Sequence, residues 1–119
     1  MFKVSRNGII EVVRGDSFSV PLFINKGTDL VPMRYILGEN DKILFGVMEP
    51  NMSFENALIR KVFTREDFNE NDDVEITFNA YDTINVTPGK YYYEVKLVVG
   101  DEADGIVNTV IPKREFYIL

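Results

Sequence analysis

The stretch Thr87–Val99, TPGKYYYEVKLVV, decides the fold of this 119-residue chain. After a Pro-Gly turn, the residues of one parity form an unbroken apolar and aromatic series: Tyr91, Tyr93, Val95, Leu97 and Val99. Successive side chains of a β-strand point to opposite faces of its sheet. The stretch therefore predicts a strand with one face in a hydrophobic core.

Similar alternation recurs along the rest of the chain. It is present in Ser17–Asn25, Lys42–Glu49 and Val74–Asn79. Turn-forming residues separate such runs roughly every 8–12 residues, and no segment shows the 3.6-residue period of an amphipathic helix. The pattern predicts a single all-β domain over residues 1–119. Its strand spacing is typical of a sandwich or a barrel, and of these we expect an antiparallel, immunoglobulin-like β-sandwich of about eight strands.

Local signals refine this expectation. Pro21 lacks an N–H group, so its strand is expected to be an edge strand or to carry a bulge. Pro112 and Lys113 are expected to end the strand Ile106–Ile111, with Arg114–Leu119 as a separate closing strand. Thr64 followed by Asp67 predicts one capped helical turn.

The composition excludes several kinds of chemistry. The chain has no Cys and no His, so disulfides, zinc–thiolate sites and Ser/His/Asp or Cys/His mechanisms are excluded within it. A net charge of −6 argues against a nucleic-acid partner, because phosphate binding depends on Lys and Arg. No apolar stretch reaches the length of a membrane span, and the N-terminus lacks the apolar region of a secretory signal. We expect no cofactor, no metal and no membrane contact.

Two groups of carboxylates require an interpretation. An EF-hand calcium loop counted from Asp67 needs Gly at its sixth position and Glu at its twelfth, but these positions hold Asp72 and Phe78. Asp82 and Glu94 would be the acid/base couple of a glycosidase if they came together. A turn cap at Asp82 needs no such geometry. We therefore interpret the acidic loop as solvated and assign no catalytic residue.

The aromatic residues supply the candidate structural and interface positions. Tyr91 follows the Pro88-Gly89 turn and is expected to hydrogen-bond backbone at the corner of the sheet, as the tyrosine corner of immunoglobulin-type domains does. Gly89 and Asp82 are the other predicted structural residues. Tyr92 has the parity that faces away from the core, and tyrosine is enriched at protein interfaces. The predicted interface residues are Tyr92, Phe23, Phe63, Phe116, Tyr117 and Leu119. We expect the closing strand Phe116–Leu119 to add to the sheet of a neighbour.

Taken in order, these motifs resemble those of small β-sandwich proteins encoded in prophages of Gram-positive bacteria. The comparison is with the N-terminal domain of phage baseplate upper proteins and related tail-fibre modules. The segments that carry the resemblance are Arg14–Leu22, Tyr35–Leu37, Asp41–Val47, Ile59–Lys61, Asp82-Thr83, Pro88–Val95, Thr109–Ile111 and Phe116. They span nearly the whole sequence. A baseplate protein would continue into a coiled coil or receptor-binding domain, so we also consider a free-standing module.

The resemblance implies a bacteriophage virion structural protein without catalytic residues. Such a protein assembles in the bacterial host cytoplasm and docks in multiple copies, as a homo-oligomer or on other virion proteins of the tail or baseplate. One alternative is a capsid decoration protein of the same fold. Another is a carbohydrate-binding module, in which Tyr92 and Tyr81 would replace the usual Trp platform. A small hydrolase with paired carboxylates is the least favoured.

Overall fold

The computed structural model describes residues 2–4, 8–23, 25–27, 32–34, 37–68, 73–100 and 106–119, with side chains for 8–22, 37–68, 74–100 and 107–119. The described part contains ten strands and one short α-helix, so the prediction of an all-β chain is confirmed. The strands are β1 (Phe2–Val4), β2 (Ile10–Val12), β3 (Phe18–Phe23), β4 (Asn25–Gly27), β5 (Pro32–Arg34), β6 (Lys42–Met48), β7 (Ile59–Thr64), β8 (Asp73–Phe78), β9 (Gly89–Val99) and β10 (Ile106–Ile118). The helix is α1 (Ala80–Ile84), and two 3₁₀ turns cover Phe54–Asn56 and Arg65–Asp67.

Six of the strands form one sheet in the order β1-β2-β10-β9-β6-β7, and the pairs β3–β8 and β4–β5 form two small sheets. Every pair is antiparallel except β2–β10, which is parallel. The expectation of a purely antiparallel arrangement is therefore wrong at one position. The strand count also exceeds the expected eight, because four of the strands have only three residues and so show too little alternation in the sequence.

The core lies between the six-stranded sheet and the β3–β8 pair. The ring of Phe78 on β8 stacks on Phe18 with centroids 4.5 Å apart, and it meets the ring of Phe45 on β6 edge-on at 5.6 Å. Tyr91, Tyr93, Val95 and Leu97 of β9 are all buried, on the face that the sequence predicts. Each such side chain stabilises the fold by about 1.5–3 kcal/mol relative to exposure.

The last strand differs from the expectation. β10 runs without a break from Ile106 to Ile118, and Pro112 does not end it. Its pairing with β9 shifts register between Thr109 and Ile111 and again between Ile111 and Arg114. A proline has no N–H for the ladder and is tolerated where a bulge leaves a residue unpaired. The interruption read from the sequence is therefore an irregularity within one strand.

Two hydrogen-bonded side chains connect distant parts of the fold. The carboxylate of Asp41, which is 7% exposed, accepts from the N–H of Gly38 at 2.8 Å and from the N–H of Gly100 at 3.2 Å. The phenol of Tyr93 donates to the carbonyl oxygen of Gly8, and burial raises the pKa of this tyrosine. These bonds attach the chain before β6 and before β2 to strand β9.

Capping side chains define the short helices. The backbone N–H of Thr64 donates to the Asp67 carboxylate at 2.8 Å, which confirms the predicted capped turn. Asn79 and Asp82 form a second capping box at the start of α1. This helix was not predicted, since five residues are too few to show helical periodicity. The Asn79-x-x-Asp82 spacing was the available signal.

The face of the six-stranded sheet opposite the core, here called the outer face, is partly covered by a loop. Residues Glu49–Leu58, here called the strap, lie on this face between β6 and β7. A Cβ atom at Gly46 would meet Cε2 of Phe54 at 2.8 Å and the Cβ of Ala57 at 3.1 Å. Glycine at this position therefore lets the phenylalanine ring close onto the sheet. Met48 is also on the outer face and is fully buried.

Side chains from two strands hold the strap by its carbonyl oxygens. Lys113 of β10 donates from Nζ to the carbonyl oxygen of Met52 at 3.1 Å. Arg60 of β7 donates from Nη2 to the carbonyl oxygens of Phe54 at 3.3 Å and Glu55 at 2.8 Å. The strap is thus attached to both sides of the strands that it covers.

Candidate docking surface

Four side chains on the outer face form one group, here called the tyrosine cluster: Lys90 and Tyr92 of β9 with Glu115 and Tyr117 of β10. Glu115 lies directly opposite Tyr92 in the ladder, and Tyr117 lies opposite Lys90. Nζ of Lys90 is 3.1 Å from Oε1 of Glu115. The phenol of Tyr117 donates to Oε2 of Glu115 at 2.8 Å. One carboxylate therefore holds both the ammonium group and a phenol.

The pKa values in the cluster reflect this arrangement. Hydrogen bonds from Tyr117 and Lys90 lower the pKa of Glu115 below its usual range. The hydrogen bond to Glu115 raises the pKa of Lys90, and the same carboxylate raises the pKa of Tyr117. At neutral pH Glu115 and Lys90 are therefore charged, and the phenol of Tyr117 is protonated.

Tyr92 completes the cluster as its aromatic member. Nζ of Lys90 lies 5.5 Å from the centroid of the Tyr92 ring, a distance at which a cation is attracted to the face of an aromatic ring. On the outer face, the cross-strand partner of Tyr92 is the buried Met48. The cluster thus combines partly exposed aromatic area with fixed charges beside the strap.

A second cation–aromatic contact extends the outer face along β9. Nζ of Lys96 is 5.3 Å from the centroid of the Phe54 ring and 3.4 Å from Oε1 of Glu94. Beyond it, Leu44 and Val62 are cross-strand partners on the same face, and Val62 is 58% exposed. The outer face is therefore a mixed apolar and charged surface on both sides of the strap.

The predicted interface residues fall into different environments. Tyr92 and Tyr117 lie together on the outer face and are half-buried, and Leu119 is 61% exposed after the end of β10. Phe63 packs partly buried against the core. The side chain of Phe23 lies outside the described residues.

Two interface predictions need correction. Phe116 is fully buried, with its ring centroid 6.1 Å from that of Phe78, so its side chain is not available to a partner. The closing strand is not free to add to a neighbour's sheet, because β10 pairs with β9 on one side and with β2 on the other. Successive residues at the end of β10 alternate between the two faces of the sheet. The side chain of Phe116 therefore lies on the core face and that of Tyr117 on the outer face.

The predicted structural residues have local roles. The phenol of Tyr91 donates to the carbonyl oxygen of Thr87 at 2.5 Å, which is the backbone bond expected of a corner tyrosine. Gly89 begins β9, opposite Ile118. Asp82 accepts from the N–H of Asn79 at 2.9 Å, as a cap does.

The structure does not bring together Asp82 and Glu94, the two carboxylates considered above as an acid/base couple. Asp82 is at the core side of the sheet edge, where its Oδ2 is 2.9 Å from Nζ of Lys61. Glu94 lies on the outer face beside Lys96. Within the described ranges, no group of three or more Asp or Glu side chains is placed to hold a metal ion.

The sequence interpretation missed Lys90 and Glu115. Each lies two residues from a tyrosine of the cluster, so the alternation places it on the same face. Their pairing across strands depends on the two register shifts in β10, and a single sequence contains no signal for these.

No family model matches the chain, and a search of curated proteins finds no relative. In the part of the chain that the structure describes, no helix is long and apolar enough to cross a membrane.

Proposed function

We propose that this protein is a non-catalytic docking module whose tyrosine cluster binds another protein. The main observation that supports this proposal is that Lys90, Glu115 and Tyr117 are joined in one hydrogen-bonded group beside Tyr92. Tyrosine offers a large amphipathic contact area with few rotatable bonds. Because these side chains already hold one another, less conformational freedom is lost when a partner binds.

The architecture proposed for the module is an immunoglobulin-like β-sandwich. Two observations support it: the β3–β8 pair faces the six-stranded sheet through aromatic contacts, and Tyr91 forms a corner-type bond to Thr87. The parallel β2–β10 pair is a local variation on that arrangement.

The proposed biological setting is a bacteriophage particle, in which several copies dock to one another or to tail and baseplate proteins. The resemblance of the ordered motifs to prophage β-sandwich proteins supports this setting. A capsid decoration protein would use the same surface in the same way. Assembly would occur in the host cytoplasm, and the working location would be the virion.

The test compares matched tyrosine variants. Tyr92→Ala combined with Tyr117→Ala removes the aromatic part of the cluster, whereas Tyr81→Ala removes a tyrosine that is 84% exposed on α1. Mass is measured by light scattering after size exclusion, alone and after mixing with phage tail, baseplate and capsid proteins. We expect the double variant, and not Tyr81→Ala, to lose self-association or complex formation.

Two results would contradict the proposal. One is a protein that stays monomeric at every concentration and binds no virion protein. The other is equal complex formation by the double variant and the wild type.

A carbohydrate-binding role receives less support from the geometry. Tyr81 belongs to α1, next to the pair formed by Asp82 and the core-facing Lys61, whereas Tyr92 lies on the outer face. The two rings therefore do not form one platform for a sugar. A glycan array is expected to give no signal, and a specific signal that is lost in Tyr92→Ala would favour this alternative.

A further inference from the structure

Strand β7 forms one end of the six-stranded sheet. It pairs with β6 over its whole length, from Ile59 to Thr64. Among the described residues no strand lies on its other side. An edge strand of this kind presents backbone N–H and C=O groups that a further strand can bond.

The direction of these groups follows from the end of the strand. The N–H of Thr64 turns away from β6 and donates to Asp67. In an antiparallel ladder, residues alternate between bonding their partner and pointing away from it. By this alternation Val62 and Arg60, like Thr64, direct their N–H and C=O groups out of the sheet edge. The edge therefore offers two consecutive bonding positions.

An apolar hollow lies beside the same edge. Its volume is about 120 Å³, several times the roughly 30 Å³ share of one water molecule in the liquid, so it has room for an aliphatic side chain. The residues that line it are Leu44, Phe45, Phe54, Arg60, Lys61 and Val62. A side chain on the outer face of an added strand would stand over this hollow, because the side chains of Arg60 and Val62 share that face.

The edge carries one positive charge in its middle that no carboxylate of the described residues offsets. Arg60 and Lys61 lie on β7 and Arg65 just beyond it, where Glu66 and Asp67 follow directly and offset the charge of Arg65. Lys61 is paired with Asp82. Within the described ranges the Arg60 guanidinium bonds two carbonyl oxygens and no carboxylate, so its positive charge is not neutralised there. The middle of the edge therefore favours a carboxylate of an occupant beside Arg60.

We propose that β7 is a docking edge for an extended acidic segment of a partner protein. The segment adds as a seventh strand, places one aliphatic side chain in the hollow and directs a carboxylate to Arg60. This mode of recognition takes its affinity from backbone hydrogen bonds and its specificity from alternate side chains. The site is separate from the tyrosine cluster, so this proposal is tested independently of the function proposed above.

A second copy of this chain fits the edge less well. Two β7 strands paired with each other would bring the arginines and lysines of both copies together, and like charges across neighbouring strands are unfavourable. Charged edge residues commonly prevent such self-pairing. The charge of Arg60 attracts a carboxylate of an acidic strand.

The probe for the test is a capped nine-residue peptide of alternating glutamate and threonine in which leucine replaces the central glutamate. One face then carries leucine between glutamates, and the other carries only threonines. The peptide is titrated into the ¹⁵N-labelled full chain, and amide shifts are followed by NMR. We expect the largest shifts at Arg60 and Val62, and a peptide with lysine in place of glutamate should give none of them.

Variants of the peptide test the hydrogen bonding while the protein stays unchanged. N-methylation of the residues of one parity removes the N–H groups that face β7, and methylation of the other parity removes those that face solvent. Binding should be lost for one set only. Equal effects of the two sets, or no shifts in β7 at millimolar peptide, would overturn the proposal. Concentration-dependent shifts in β7 without peptide would overturn it in favour of a second copy.

A charge-matched pair of protein variants tests the arginine. Arg60→Glu should weaken binding of the glutamate peptide roughly tenfold, because an attraction becomes a repulsion of similar size. Arg14→Glu makes the same change of net charge in the exposed turn after β2, four strands away, and should leave binding unchanged. Equal weakening by both variants would overturn the proposed role of Arg60.

Discussion

The contact between Gly46 and Phe54 makes a quantitative prediction about the strap. A Cβ atom at position 46 would come within 2.8 Å of the Phe54 ring, closer than real Cβ atoms approach other heavy atoms. Overpacking of this kind costs about 1–3 kcal/mol. Replacing glycine by alanine in a strand stabilises the folded state by about 0.5–1 kcal/mol, since alanine loses less backbone freedom on folding. Gly46→Ala should therefore destabilise the protein by up to about 2.5 kcal/mol.

The effect of Gly46→Ala on the free energy of unfolding should have the opposite sign when the Phe54 ring is absent. In a Phe54→Ala background the clash is removed, and the remaining 3.1 Å approach to Ala57 needs only a small shift. Gly46→Ala should then be neutral or stabilising by up to about 1 kcal/mol. The coupling energy between the two positions should be about 1–3 kcal/mol, well above the additivity limit for independent sites.

Urea denaturation of the wild type, both single variants and the double variant measures this coupling. For a domain of this size, 1 kcal/mol corresponds to roughly 4 °C in Tm, so thermal melts give an independent check. A control cycle pairs Gly46→Ala with Tyr81→Ala on α1, where additive effects are expected. Additivity within about 0.5 kcal/mol for the Gly46 and Phe54 pair would refute the packing of the strap on the sheet.

Three further substitutions test the connections described above. Tyr93→Phe removes the bond to the Gly8 carbonyl and should lower the free energy of unfolding by about 1–2 kcal/mol in urea titrations; a change within error would contradict that bond. Asp41→Ala leaves two backbone N–H groups without their acceptor and should cost about 2–4 kcal/mol, more than Asp41→Asn, which keeps one acceptor oxygen. Because the pKa of Glu115 is lowered in the fold, its contribution to stability is present above the unfolded-state pKa and disappears as pH falls through the folded-state pKa. Glu115→Gln should therefore flatten the acid side of the stability–pH curve, and curves that stay parallel to the wild type would exclude this contribution.

Alternation along one strand was sufficient to predict that Tyr91, Tyr93, Val95 and Leu97 are buried, since each prediction needed only the parity of the position. It did not predict that Val98, of the opposite parity, is buried as well. The position of β10 was not predictable in this way. Nothing in the residues Phe116–Leu119 indicates that they pair with a strand from the opposite end of the chain, and this pairing turns a predicted edge into the middle of a sheet. The tyrosine cluster depends on the offset introduced by the two register shifts in β10. The contact between Phe54 and Gly46 joins positions on different elements, so it could not be predicted from the sequence around either residue alone.

The parallel pairing of β2 with β10 has a consequence for synthesis on the ribosome. In the six-stranded sheet of the described residues, β1 and β2 connect to β9, β6 and β7 only through β10, which is translated after the other five strands. Until β10 leaves the ribosome, the pair β1–β2 has no neighbouring strand in the sheet. The nascent chain then holds two separate parts of the sheet, β1–β2 and β9–β6–β7. Contacts between residues as distant as Ile10 and Phe116 raise the contact order, which slows folding. The domain should therefore complete its fold after translation of β10, and earlier-stalled chains should remain sensitive to protease.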